Sequence, residues 1–230
     1  SLVCQALLGF CLFDSNILIA IPGFCQAMQV ILDVYNCHVQ VVFTALCIIQ
    51  YLSDQEDNVL ELDNAGVPSL VIEVLKLHIN NTDICQQSVK VITQLSHYEC
   101  PTESMVIRGI CELLSKLLSV HENKVSIISS VFIVIRSIIK TIPRTSSRFR
   151  SNVLCNCLIS MLKTYPTNMA LVESSCGVLH VIGLKVPSFL DYFSSKKLTD
   201  ILLHVILTHF NHRSVMLEIL WAIATLAMAF

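Results

Sequence analysis

The chain has 230 residues, 54% of them hydrophobic and only 14% charged, with a net charge of −2. That apolar share is too high for a disordered segment, and the balanced charge gives no electrostatic reason for binding nucleic acid. Eleven cysteines scattered through helical-looking segments do not form the compact, loop-rich pattern of a small secreted disulfide scaffold.

In chain order, residues 1–22 read as the last helices of a preceding unit. A helical run then follows Gly23, with a polar break near Asn36 and a second apolar run closing at Leu52-Ser53. An acidic connection holds Asp54, Glu56, Asp57, Glu61 and Asp63. The pattern restarts at Gly66-Val67-Pro68, breaks at Asn80-Asn81 and closes at Leu95-Ser96, and the connection over 97–109 leads to Gly109. The third unit ends in a basic connection with Arg136, Lys140, Arg144, Arg148 and Arg150, where Pro143 removes a backbone donor and stops the helix. A fourth unit occupies about 153–185 and a fifth about 198–229.

The repetition is regular. Gly23, Gly66 and Gly109 are 43 residues apart, and Leu32, Leu75 and Leu118 keep the same interval, as do Leu52, Leu95 and Ile138. Three residues after each marker leucine stands a flat ring: Tyr35, His78 and His121, continued by Leu162 with Tyr165 and by Leu207 with Phe210. The ring is expected to close the hydrophobic layer before the chain reverses. Asn36, Asn80-Asn81, Asn123, Asn168 and Asn211 are expected to make the turns, since Asn tolerates left-handed backbone and bonds its own main chain. In the second run of the second unit, Ile84, Cys85, Ser88, Val89, Val91, Ile92 and Leu95 mark one buried helical face.

A period of about 43 residues built on two apolar helices is that of an α-solenoid. The glycines, leucines and Leu-Ser closures over roughly 23–230 resemble the armadillo/HEAT-type helical repeat superfamily. The resemblance implies an all-α fold: a right-handed α-solenoid of about five repeats in one domain, with a partial unit over 1–22 and units at 23–65, 66–108, 109–152, 153–197 and 198–230. The Tyr165–Asn168 turn looks like one in the armadillo-type repeats of leucine-rich repeat kinases. Peptide-binding relatives carry an Asn ladder with Trp one turn earlier. Here Tyr51, Gln94, Ser137 and Val181 hold the Asn place, and Cys47, Lys90, Ile133 and Gly177 the Trp place, so that mode of binding is not carried over.

Neither end of the sequence offers the polar cap a solenoid needs, so a piece of a longer protein is expected, with neighbouring repeats at both ends. No stretch has the uninterrupted apolar length of a membrane span flanked by cations. Cysteines at apolar helical positions, Cys25, Cys111 and Cys155 among them, point to a reducing compartment, cytoplasmic or nuclear.

The candidate binding residues fall in two groups. Arg136, Lys140, Arg144, Arg148 and Arg150 form a basic edge, read either as a solvated loop or as a seat for an acidic protein segment. Phe149 is its only aromatic, which argues against direct nucleic-acid binding. Phosphorylation of Ser146 or Ser147 would cancel much of that charge. A polar strip on the second helices carries Thr44, Gln50, Tyr51, Gln87, Lys90, Gln94, Ser130, Ser137, Ser174 and His180. Trp221, the single tryptophan, is expected in the core. His204, His209 and His212 lack the carboxylate or thiolate neighbours of a metal site, and Cys155-x-Cys157 has the wrong spacing for one. No hydrolase, zincin, dinucleotide or P-loop motif is present, so neither catalysis nor a cofactor is expected. The sequence thus reads as a non-catalytic protein–protein interaction scaffold. Two alternatives stay open: a regulatory repeat segment of a larger enzyme such as a protein kinase, and a component of nuclear or meiotic chromosome machinery. The second rests on a likeness in Leu- and Cys-rich composition to repeat proteins of the meiosis inhibitor protein 1 type, concerned with double-strand break formation and synapsis.

Overall fold

The computed structural model describes residues 23–194 and 198–228. The expected partial unit over 1–22 lies outside the described residues. Among those described there is no strand. The elements are α1 (Phe24–Val34), α2 (Val39–Leu52), α3 (Glu56–Asn64), α4 (Val67–Leu77), α5 (Thr82–Leu95), α6 (Glu99–Ile107), α7 (Ile110–Val120) and α8 (Val125–Thr141). Beyond them come a 3-10 turn (Pro143–Phe149), α9 (Asn152–Thr164), α10 (Met169–Lys185), a second 3-10 turn (Pro187–Phe189), α11 (Asp191–Ser194), α12 (Leu198–His209) and α13 (Arg213–Ala227).

The repeat of the first unit therefore has three helices where two are expected from the sequence: a short first helix (α3, α6), a second (α1, α4, the place held later by α7, α9 and α12) and a third (α2, α5, the place held later by α8, α10 and α13). The acidic connection forms α3 and the next connection forms α6. These helices are short and weakly amphipathic, so their periodicity is faint. What holds α3 is specific: Val59 and Leu62 are fully buried, and the buried Asn58 Nδ2 donates 2.8 Å to the Leu52 carbonyl. The basic connection is instead a 3-10 turn opened by Pro143, with Phe149 buried beneath it.

The marker glycines have a backbone cause. Gly23, Gly66 and Gly109 sit at φ 82°, 74° and 86°, the left-handed region that costs a side-chain-bearing residue about 1–2 kcal/mol. Each lets the chain turn sharply into the helix that follows. Leu32, Leu75, Leu118, Leu52, Leu95 and Ile138 are all buried, as the repeat requires. Two of the asparagines bond the nearby main chain as expected, but from extended and not left-handed backbone. Asn81 and Asn168 are extended N-caps whose side chains accept from Ile84 N–H and Leu171 N–H at 3.1 Å, stabilising α5 and α10 by about 1 kcal/mol each.

The chain forms two compact units, one ending at Ile110 and one beginning at Cys111. In the first, helices of the same kind pack on each other: α1 on α4, α2 on α5, α3 on α6. In the second, α8 packs on α10 and α10 on α13, while α9 packs on α12. The sandwiched α10 shows the consequence. It is buried nearly all round, from Leu171 to Gly183, which explains much of the high hydrophobic content.

The fifth ring is His209, not Phe210. Tyr35, His78, His121, Tyr165 and His209 each accept, at their carbonyl, the N–H of the residue three further on. Phe210 is 68% exposed, and Leu207, read as the matching leucine, is 74% exposed. Ile206 holds the leucine place. The histidines also tie repeats together within each unit: His78 Nε2–H donates to the Asn36 carbonyl and His209 Nε2–H to the Pro166 carbonyl, both at 2.6 Å.

Candidate partner-binding groove

With His209 as the ring, Trp221 falls at the place held by Cys47, Lys90, Ile133 and Gly177 in the earlier repeats. The one-residue slip at Phe210 had hidden this. Trp221 is 54% exposed and not in the core. Its indole lies 5.1 Å from the His180 ring on α10, tilted by 43°. His180 Nδ1 is 2.8 Å from Thr225 Oγ1, and that hydroxyl donates to the Trp221 carbonyl at 2.8 Å. The Thr225 proton is thus committed, so His180 Nδ1 is the donor and the imidazole orientation is fixed. Burial pushes the His180 pKa below its ordinary value, a shift that the Glu218 carboxylate opposes and Arg136 reinforces.

One helix away, Arg136 on α8 reaches across α10 to Glu218 on α13, Nη2 to Oε1 at 2.5 Å. This reach depends on Gly177: a Cβ there would lie 2.6 Å from Arg136 Nη1 and 3.0 Å from its Cδ and Cζ. Arg136 Nε and Glu218 Oε2 remain without hydrogen-bond partners. These groups, with Lys140, Leu184, Lys185 and Trp221, line a cavity of about 340 Å³ on the third-helix face of the second unit. Lys140, Leu184 and Lys185 are exposed. Arg136 and Glu218 neutralise each other, so the two lysines set the sign of the groove. An exposed indole, an apolar Leu184 wall and two cations can hold a chain segment that offers an apolar side chain beside carboxylates.

The structure separates the remaining candidates. Arg148 is forked onto Glu112, with Nη2 at 2.8 and 2.9 Å from its two oxygens. Burial alone would raise the Glu112 pKa, but its backbone hydrogen bond and Arg148 together hold it below the usual carboxylate range. Arg150 lies over the Tyr192 ring at 5.9 Å, and Arg144 is exposed. The basic edge therefore spends part of its charge within the chain. Ser146 is buried, out of a kinase's reach in this conformation, whereas Ser147 is exposed.

On the polar strip, Gln87 is buried and donates to Gln50 Oε1 at 2.7 Å, Gln94 donates to Asp54, and Ser137 is buried. Thr44 and Ser174 are buried too. Gln87, Gln94 and Ser174 thus join neighbouring repeats, and Thr44, Gln87, Ser137 and Ser174 are not open to solvent as expected. Lys90 stays exposed, beside Phe43, Asp83 and Gln86 in a shallow groove of the first unit. The Asn-ladder place in the fifth repeat holds Thr225, buried and bonded, so main-chain recognition by a carboxamide ladder remains absent.

Cys25, Cys85, Cys111 and Cys155 are buried thiols. Burial pushes Cys25, Cys85 and Cys111 up to about 11 and Cys176 to about 12. The His209 and His212 rings are 5.9 Å apart, and among the described residues no group of three His, Cys, Asp or Glu is placed to hold a metal. Nor, among those residues, is any helix long and apolar enough to cross a membrane.

No protein-family model matches the chain, and no curated protein matches it. Among solved structures it is similar to a designed armadillo repeat protein in complex with the peptide (KR)4, at 15% identity over 92% of this chain and 85% of that one, with a TM-score of 0.74. It is also similar to an engineered protein at 13% identity, TM-score 0.77, over 97% of this chain and 53% of that one. The chain thus spans about half of that second protein. The fold is the armadillo-type helical repeat.

Proposed function

We propose that this chain is a non-catalytic protein-interaction scaffold whose third-helix groove at Trp221 receives an acidic segment of a partner protein. The observation that carries this reading is the exposed Trp221 held against His180, beside Leu184 and the exposed Lys140 and Lys185. An indole fixed by neighbours loses little entropy on binding, and flanking cations select carboxylates and speed encounter. The designed armadillo protein carries the basic peptide (KR)4; the cations at this groove favour the opposite charge. Its test is selection of peptides from a random library on the immobilised chain. Enrichment of Asp and Glu around an aromatic or aliphatic residue, lost with Trp221→Ala, supports it.

A second reading is favoured by the thiols. A chain that buries cysteines at equivalent repeat positions, Cys25, Cys111 and Cys155, suits a reducing compartment. Together with the Leu-rich repeat it fits a component of nuclear, meiotic chromosome machinery, where the scaffold would assemble proteins for break formation and synapsis. A tagged protein absent from meiotic chromosome axes would sink it.

A further inference from the structure

One stripe of the third helices changes state in the last repeat. In α10 it is Val172, Cys176, Leu179 and Gly183, spaced four, three and four residues apart, and every one is buried. The equivalent residues of the earlier repeats are buried as well: Val42, Leu46, Ile49 and Ser53 on α2 and its C-cap, Cys85, Val89, Ile92 and Ser96 on α5 and its C-cap, and Ile128, Phe132, Ile135 and Ile139 on α8. In α13 the stripe is Met216, Leu220, Ile223 and Ala227, as apolar as its counterparts. There Leu220 is 51% exposed, Ala227 is exposed, and Met216 and Ile223 are half-buried. The second helix agrees. Leu32, Leu75, Leu118 and Leu162 are at most 2% exposed, while Ile206 at the same place is half-buried.

This stripe is the stacking face. Gly183 shows its direction, because a Cβ there would meet Thr225 Cγ2 on α13 at 2.5 Å. On α13 none of the described residues covers the same face, where Leu220 and Ala227 are exposed. We propose that it seats a further helical repeat of the same type, an amphipathic helix pair that packs on α12 and α13 as α13 packs on α10. The interface continues one already present within the second unit, so the occupant is specified by its repeat: a third helix laid along Met216, Leu220 and Ile223 and a second helix against Ile206. Ordinary surface apolar residues do not qualify. Leu207 is more exposed than Leu220, but its equivalents Asp33, Lys76, Ser119 and Lys163 are polar and exposed, so its place faces solvent in every repeat.

The inference is independent of the groove, and its test uses the whole 230-residue chain with a consensus armadillo capping repeat fused after Phe230. Hydrogen exchange of α13 and the Tm are compared with and without the fusion. The expected result is at least a tenfold slowing of exchange along α13 and a higher Tm. Both gains should disappear with Leu220→Glu and Ile223→Glu and survive Leu207→Glu. Unchanged exchange on fusion overturns the proposal. So does an unfused chain that sediments as a dimer and dissociates with Leu220→Glu, because the face would then belong to a second copy.

Discussion

Gly177→Ala puts a methyl group where the Arg136 side chain crosses α10. The added Cβ would stand 2.6 Å from Arg136 Nη1 and 3.0 Å from Cδ and Cζ, closer than carbon atoms approach. Because Arg136 is long, it moves instead of the backbone, and the Arg136–Glu218 pair opens. Its side chains are only 25% and 15% exposed. A charged hydrogen bond is worth about 1.5–3 kcal/mol, and partial solvent access lowers that here to about 1–2 kcal/mol. Against this, Ala in a helix interior gains about 0.8–1 kcal/mol over Gly. The substitution alone should therefore leave stability near neutral or lower it by up to about 1 kcal/mol. In an Arg136→Met background nothing charged crosses the glycine, and the same change should stabilise by about 0.8 kcal/mol. Urea denaturation of the four proteins gives the cycle, with an expected coupling of about 1–2 kcal/mol. A coupling below about 0.3 kcal/mol, within the additivity error, would show that Gly177 is not there to pass the arginine.

Gly66→Ala tests the repeat marker itself: nothing lies within 4 Å of its Cβ, so the cost is backbone strain alone, about 1–2 kcal/mol in urea unfolding, with Gly66→Asn cheaper. His209→Leu should cost about 1–3 kcal/mol by orphaning the Pro166 carbonyl, whereas Phe210→Ser should be nearly neutral; reversed magnitudes would restore Phe210 as the ring. In native buffer, maleimide mass spectrometry should label Cys37 and Cys100 first among the described cysteines and leave Cys25, Cys85, Cys111 and Cys176 unreacted until unfolding, because the first pair is exposed and burial pushes the other four thiols up. His180 is depressed in the fold, so the unfolded chain binds the proton more readily; its contribution to stability is full above the ordinary histidine pKa of about 6.5 and is lost as pH falls below it. Chemical unfolding from pH 8 to 5 should show that decline shrink in His180→Gln.

The repeat was legible because its strongest signals are steric and apolar. A left-handed glycine and a buried leucine tolerate few substitutes, and both recur at 43 residues. The short helices α3 and α6 escaped notice because they bury few residues and carry charge along their length. Exposure was harder still. Gln87 and Ser137 are polar and their pattern predicts a water-facing place, yet both are buried, and Gln87 uses its amide to bond Gln50 of the preceding repeat. Trp221 was misread in the opposite sense, since an apolar helix at a repeat face looks like core. The one signal that would have found it is the ring series, which places Trp221 with Ile133 and Gly177 once His209 is chosen.

Peptide selection on the immobilised chain, run beside Trp221→Ala and Lys140→Glu/Lys185→Glu variants, tests the central claim most directly. The account expects acidic sequences around one apolar anchor, with binding weakened at least tenfold in each variant and no enrichment of (KR)4-like peptides. Basic consensus sequences, or an acidic consensus indifferent to all three substitutions, would contradict the groove as the binding site.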